Sequence, residues 1–363
     1  MNAQRVTIAD VARRAGVSVG AVSFALNKRP GVGEQTRARI LAAAEELNWK
    51  PNVRARSLSH SRSFALGLVV ARRPELLGAD PFFPSFIAGV ESVLSPAGQS
   101  LVLNVVPSRR AEEETYRRLA ADARVDGVFL TDLRSRDPRV GLLRELDLST
   151  VTLGRPEGSS SHPAVTLDDS HGVATAVRRL IELGHRRIAH VAGPSRFLHA
   201  RSRREAWRRE TENAGLGECP SIEADFTPAS GAAATVALLE SDPRPTAIVY
   251  ANDVMAIAGM AVAQQRGLVI GKDLSLTGYD DIELAQHLNP PLCTIRTDPY
   301  GWGQAATRTL LRLIDGEQPE DLELPPAALI ERASIGPPPR ASRRRSSPVH
   351  DTAPTARKGR DPR

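Results

Sequence analysis

The apolar residues of this chain fall into two regimes. At the start they recur at helical spacing: Ile8, Val11, Ala12 and Ala15 share one face of a short helix, and Ala21, Val22, Ala25 and Leu26 can face inward from a second. A third helical stretch over 34–47 buries Ile40, Leu41, Ala44 and Leu47 against them. Between 61 and 336 the pattern changes to short, β-branched runs at 65–71, 101–106, 125–130, 151–153, 188–192, 247–250 and 274–277. These runs are continuous rather than alternating, which predicts strands buried on both faces. Helical patterns at 112–123, 172–183 and 254–266 lie between several of them. Such alternation means a parallel sheet with crossover helices. The stretch is long for one sheet, so two lobes are expected, with a ligand at the strand carboxyl ends in the cleft between them.

The predicted fold class is therefore α/β, with an all-α head over 1–51, a hinge over 52–62, a two-lobed core of parallel sheets over 63–336 and a tail over 337–363. The tail is rich in Pro, Ser and Arg, has almost no large apolar residue, and is expected to be disordered.

Local signals sharpen the reading of the head. Thr7 and Asp10 stand at capping-box spacing, with Asp in place of the usual Glu. Gly16 supplies a sharp turn, and Ser18 caps the next helix. Two short helices joined by a glycine turn form a DNA-reading motif; a plain three-helix bundle is the alternative. Charge decides between them. The chain of 363 residues has net charge +6, but residues 1–62 hold 11 Lys+Arg against 4 Asp+Glu, residues 63–336 hold 29 against 36, and residues 337–363 hold 8 against 2. A basic head on an acidic body is the footprint of a polyanion-binding module joined to something else.

Several motifs in the head agree in order: Thr7-Ile8-Ala9-Asp10-Val11-Ala12, Ala15-Gly16-Val17-Ser18, Val22-Ser23, Leu26-Asn27 and Leu47-Asn48-Trp49-Lys50-Pro51-Asn52. Over 6–58 the chain resembles the head of the lac-repressor (LacI/GalR) family of transcriptional regulators. The resemblance implies a DNA-facing set of Thr7, Ser18, Val19, Gly20, Ala21, Ser23, Phe24 and Asn27. Val19, Gly20 and Phe24 would reach base edges, and Thr7, Ser18, Ser23 and Asn27 would hold phosphates. Family members often carry Arg where this chain has Phe24; Phe can make only apolar contact, for instance with a thymine methyl. The resemblance also implies a hinge that folds on DNA, with Asn52, Arg54, Ala55, Arg56 and Leu58 at the minor groove and Leu58 as the wedge between bases. Without the head, this segment would read as a linker with solvated arginines.

The body resembles the periplasmic-binding-protein-like sensor core of the same family. The anchors are Phe82-Phe83, Gly89-Val90-Glu91, Val125-Asp126-Gly127, the run from Gly184-His185 to Gly193-Pro194, Ala251-Asn252-Asp253 and Gly278-Tyr279-Asp280-Asp281. The implied effector positions are Arg203, Asn252 and Asp280, a donor and acceptor set suited to a polyhydroxylated, carbohydrate-like ligand. Phe82, Phe83 or Trp302 would supply an apolar wall, and Gly154 followed by Arg155 stands where some sugar-sensing members have an acidic residue. Each position has a plainer reading. Asn252-Asp253 could cap a helix, Asp280-Asp281 could form a turn, Arg203 could belong to a solvated basic face, and His185 after Gly184 could be a C-terminal cap.

Other classes find little support. No apolar run reaches the roughly 18 residues of a membrane helix, and no export signal is read at the start. Cys219 and Cys293 form no spaced framework, so neither a disulfide scaffold nor a metal site is expected. Gly301-Trp302-Gly303 matches a dinucleotide glycine pattern only weakly, and no catalytic constellation or cofactor motif is found. The expectation is a cytoplasmic, non-enzymatic regulator, a homodimer on a near-palindromic DNA operator, under the control of a small-molecule effector. The alternatives are a solute-binding receptor without a specific DNA site and an α/β enzyme.

Overall fold

The computed structural model describes residues 6–26, 30–49, 62–72 and 80–339. The head has three helices, α1 (Ile8–Ala15), α2 (Val19–Leu26) and α3 (Glu34–Glu46). At the start of α1 the Asp10 carboxylate accepts from the Thr7 backbone N–H at 2.9 Å and from the Thr7 hydroxyl at 2.7 Å. Gly16 ends α1 in the left-handed conformation, φ 63°, and lets Val17 N–H reach back to the Ala12 carbonyl at 3.0 Å. The Ser18 hydroxyl then accepts from Ala21 N–H at 3.2 Å and starts α2.

The three helices close on Val11, Ala12, Ala15, Val22, Ala25, Ile40, Ala43 and Ala44. Leu41 departs from expectation: it is 50% exposed, and Ala43 takes the inward place. The reason is helical period. Ile40, Ala43, Ala44 and Leu47 form an i, i+3, i+4, i+7 stripe, and Leu41 lies one residue, about 100°, off it.

The described chain divides into two compact units, Met1–Leu167 with Arg196–His199 and Asp298–Pro325, and Asp168–Ser195 with Ala200–Thr297 and Pro326–Arg363. The first contains β1 (Ala65–Val70), α4 (Phe82–Leu94), β2 (Ser100–Val105), α5 (Arg109–Ala121), β3 (Gly127–Leu130), α6 (Pro138–Glu145), β4 (Ser149–Leu153), β5 (Ala164–Thr166), α11 (Pro299–Ile314) and β11 (Leu322–Glu323). Its sheet runs β11-β5-β4-β3-β1-β2, all parallel. Along β1, Leu66, Leu68 and Val70 enter one apolar cluster, with α4 and α11, while Ala65 and Val69 enter another, with α5 and α6. Both faces are covered, which is why the sequence reads as a continuous apolar run. The edge strand β2 breaks that expectation: Leu103 and Val105 are exposed at 42% and 36%.

The second unit contains α7 (Asp169–Glu182), β6 (Ile188–Ala192), α8 (Leu198–Asn213), β7 (Ser221–Glu223), α9 (Pro228–Glu240), β8 (Ala247–Tyr250), α10 (Asp253–Gln265), β9 (Ser275–Thr277), β10 (Thr294–Arg296) and β12 (Ala328–Ile330), although α8 begins in the short segment grouped with the first unit. Its parallel sheet runs β7-β6-β8-β9, and β10 pairs antiparallel with β12. His185 lies behind Gly184, φ 101°, with its ring nitrogens 2.9 Å from the Thr246 hydroxyl and 2.8 Å from the Gly336 carbonyl. It ties the chain near residue 336 to the sheet.

In both units the first strand is laid down, the second pairs on one side of it, and the third pairs on the other. The carboxyl ends of β1 and β3, and of β6 and β8, are therefore topological switch points, where open α/β sheets bind ligands.

Candidate functional site

In the head, α2 carries its apolar surplus outward. Val19 and Phe24 are 45% and 42% exposed, and Gly20 between them is also exposed. Val22 and Ala25 hold the opposite face in the core, so the helix shows Val19, Gly20 and Phe24 to solvent as a unit. Ala21 and Ser23 are half-buried. One of the expected phosphate donors is in use within the head, the Thr7 hydroxyl donating to Asp10; Ser18 as N-cap only accepts and keeps its hydroxyl proton to donate. Asn27 and the hinge residues Asn52, Arg54, Ala55, Arg56 and Leu58 lie outside the described residues.

At the switch point of the second unit, Arg203 of α8 donates from Nη1 to the Ala251 carbonyl at 2.9 Å, just past the end of β8. Its Nε and Nη2 donate to Asp169 Oδ1 at 3.1 and 2.6 Å. The guanidinium lies over the Tyr279 ring, 3.5 Å from its centroid, and the Tyr279 hydroxyl donates to the same Asp169 oxygen at 2.9 Å. Burial works against the charge on Arg203, but Tyr279, Asp169 and Asp280 more than offset it and raise its pKa above the usual guanidinium value. Burial likewise raises the Tyr279 hydroxyl, which stays neutral.

Asp280 follows with φ 113°, a conformation that few L residues adopt and that persists only where surroundings enforce it. Its N–H donates to the Ile295 carbonyl at 2.8 Å, which anchors the turn after β9 on β10. Asn252 is turned inward. Its Oδ1 accepts from Met255 N–H at 3.0 Å as the N-cap of α10, and its Nδ2 donates to the Phe226 carbonyl at 3.0 Å. The capping reading thus holds for Asn252, and Arg203 is a built-in cation rather than part of a solvated face.

At the switch point of the first unit, Arg72, just beyond β1, forms a bidentate pair with Asp132, just beyond β3, at 2.7 Å from both Nε and Nη2. Arg72 also reaches Asp80 at 2.5 Å and packs over the Phe83 and Phe197 rings. Burial raises the Asp132 carboxyl, but Arg72 overrides it and pulls it down to about 2. Phe83 is only 1% exposed, so the expectation that it forms an open wall is corrected: it is core beneath Arg72. Phe82 and Trp302 are half-buried and meet edge to face, centroids 5.8 Å apart, with Trp302 Nε1 donating to the Val165 carbonyl at 3.0 Å. Arg155 is exposed and paired with Asp321 at 2.8 Å, and no hydrogen bond among the described residues draws it into the Arg72 group.

The sequence reading missed Asp169, Tyr279, Arg72 and Asp132. Tyr279 stood inside a motif already singled out. Asp169 reads as part of a helix cap, and its neighbour Asp168 is indeed the cap, accepting from Ser170 N–H at 2.9 Å. Arg72 and Asp132 are 60 residues apart and carry no local signal. The glycine pattern at 301–303 has a packing role instead: a Cβ on Gly303 would stand 2.3 Å from the Phe86 carbonyl oxygen, and one on Gly89 would stand 2.0 Å from the Tyr300 carbonyl oxygen. These glycines let α4 and α11 cross closely, which leaves no phosphate loop there.

A family model for bacterial regulatory proteins of the lacI family matches residues 7–52, and one for a periplasmic binding protein-like domain matches residues 177–335. The HTH-type transcriptional regulator AglR of Rhizobium meliloti (strain 1021) is 34% identical over 345 residues, covering 92% of this chain and 95% of AglR. The chain belongs to the LacI family. It is an effector-controlled, DNA-binding transcriptional regulator. The HTH-type transcriptional regulator CelR of Thermobifida fusca is 34% identical, over 88% of this chain and 95% of its own. Among solved structures, the lac repressor dimer bound to operator and the anti-inducer ONPF superposes with a TM-score of 0.80 at 28% identity, over 92% of this chain and all of that one. A CelR–cellobiose complex superposes with a TM-score of 0.69 at 33% identity, over 91% of this chain and all of that one. Among the described residues no helix is long and apolar enough to cross a membrane.

Proposed function

We propose that this LacI-family regulator is a homodimeric repressor that reads a near-palindromic operator and changes its operator affinity when a carbohydrate or related polyhydroxylated metabolite binds the core. In this reading residues 1–51 are the DNA-binding head, 52–62 the hinge, 63–336 the effector-binding and dimerisation core, and 337–363 a basic tail. It works in the cytoplasm, where bacterial DNA is reached. Phe24 and Val19 make apolar base contacts, and the hinge arginines reach phosphates around Leu58.

The observation that supports the effector reading most is the Arg203–Asp169–Tyr279 group beside the strained Asp280 backbone. A guanidinium fixed on an aromatic face offers directed N–H donors, and the Asp280 carboxylate offers acceptors, which is the pairing that hydroxyl groups need. CelR, a relative, has been solved with cellobiose, and the lac repressor as a dimer on operator.

The test is a thermal-shift screen of mono- and disaccharides on the full chain, followed by fluorescence anisotropy on a duplex selected from a random pool. A coupling of about 1–3 kcal/mol corresponds to a change of roughly 5- to 150-fold in operator affinity. A sugar that raises the melting temperature and changes operator affinity within that range supports the reading. Absence of any carbohydrate that does both overturns it.

A further inference from the structure

Within the first unit, α6 and the loop after β4 flank a hollow of about 300 Å³, open to solvent and lined mostly by exposed side chains, that none of the effector candidates lines. We propose that this hollow is a second small-molecule site, which takes the phosphate group of a small phosphorylated polyol. Arg136, Arg144, Asp137, Glu157, Ser159 and Ser161 line it.

The two acids are already engaged by protein donors. Asp137 accepts from Arg139 Nε at 2.9 Å and Nη2 at 2.6 Å, and from Arg134 N–H at 3.0 Å. Glu157 Oε2 accepts from the Ser135 hydroxyl at 2.7 Å and from Arg136 N–H at 3.2 Å. The cations are not so engaged: among the described residues, neither the Arg136 nor the Arg144 guanidinium has a carboxylate or hydrogen-bond partner, and the Ser159 and Ser161 hydroxyls have none. Two arginines and two serines along the hollow can present donors to a tetrahedral anion, and Arg is the side chain whose planar fork matches phosphate. Arg136 holds φ 48°, a left-handed conformation that an L residue keeps only when its surroundings fix it. Glu157 at the same wall suits a hydroxyl group on the remainder of the molecule. The volume is at the small end of ligand pockets.

His162 provides an internal reporter. It is buried and its Nε2–H donates to the Val140 carbonyl at 3.1 Å. Burial lowers its pKa, and the neighbouring Arg144 lowers it further. An anion seated on Arg144 offsets that repulsion and raises the His162 pKa.

The experiment is calorimetry on the full chain with glycerol phosphate, inorganic phosphate and sulfate at matched ionic strength, with ¹⁵N-histidine NMR across pH. The expected result is saturable binding, tightest for glycerol phosphate, with a rise in the His162 pKa. A double variant, Arg136→Gln with Arg144→Gln, is expected to lose at least tenfold in affinity, with an unchanged melting temperature and an intact carbohydrate response. That last readout separates this site from the effector reading, which can fail independently. Equal binding of sulfate and both phosphates means an adventitious ion only and overturns the proposal. So does an unmoved His162, or a double variant that binds like the parent.

Discussion

The Arg203 guanidinium lies 3.5 Å from the centroid of the Tyr279 ring, and Asp169 accepts a hydrogen bond from both residues through one oxygen. Arg203 is fixed before any ligand arrives, so its remaining donors are preorganised. Arg203→Lys keeps the charge but loses the fork. Losing a charge-assisted hydrogen bond costs about 1.5–3 kcal/mol. Calorimetry with whichever sugar the screen identifies should therefore show roughly 10- to 150-fold weaker binding. Operator affinity without sugar should be unchanged. An unaltered sugar affinity would remove Arg203 from the effector site.

Phe24 is exposed on α2, and in the proposed reading its contact with DNA is apolar. Phe24→Ala should weaken binding to the selected operator by up to about 1.5–3 kcal/mol, the worth of fully burying the ring. Nonspecific binding and the slope of affinity against salt should stay as they are, because no phosphate contact is lost. Anisotropy titrations at several salt concentrations on operator and on random duplex check both halves.

A buried charge network stiffens the first unit. Arg139 is 1% exposed and binds Glu112 at 2.6 Å and Asp137 at 2.6 Å, while Arg134 binds the other Glu112 oxygen at 2.8 Å. Arg139→Met removes the central cation, leaving Asp137 without a guanidinium partner and Glu112 with Arg134 alone. Such a change costs about 3–5 kcal/mol. Urea unfolding followed by circular dichroism should show a clear drop in midpoint; a drop under 1 kcal/mol, an order-of-magnitude limit, would mean that water or relaxation replaces the arginine.

His190 lies inside the second unit, stacked on Trp207 at 5.5 Å with Nδ1–H donating to the Val249 carbonyl at 2.8 Å. Burial, with Arg204 and Arg203 nearby, pushes its pKa down to about 4. The unfolded chain takes up a proton near pH 6.5, before the folded one does. The stability that the neutral ring allows is present above pH 6.5 and is lost as pH falls from there through 4, by about 3 kcal/mol in total. His190→Phe keeps an aromatic ring against Trp207 and cannot titrate. Its stability between pH 7 and 4, measured by chemical denaturation, should fall less steeply than that of the parent by about that amount.

Local periodicity carried much of the fold into view. The runs at 188–192 and 247–250 are the strands β6 and β8 to the residue, and the Gly16 turn and Ser18 cap sit where the head motif places them. The strands β5, β7, β10, β11 and β12 went unseen because each has two or three residues, too few to show a period. Phe83 and Phe82 are adjacent and identical in type, yet one is sealed in the core and the other is half-open.

What the sequence determined alone was therefore everything set within a turn or two of chain: which segments are helices or strands, where the head's turn falls, and where positive charge concentrates. Only the tertiary structure decided which side chains meet. Arg72 finds Asp132 across 60 residues, and Tyr279 finds Asp169 across 110. Arg72 and Asp132 meet because neighbouring parallel strands bring their carboxyl ends to one edge of a sheet, and Asp169 meets Tyr279 from the start of α7; that convergence is a property of the packing order of the elements, which no local pattern encodes.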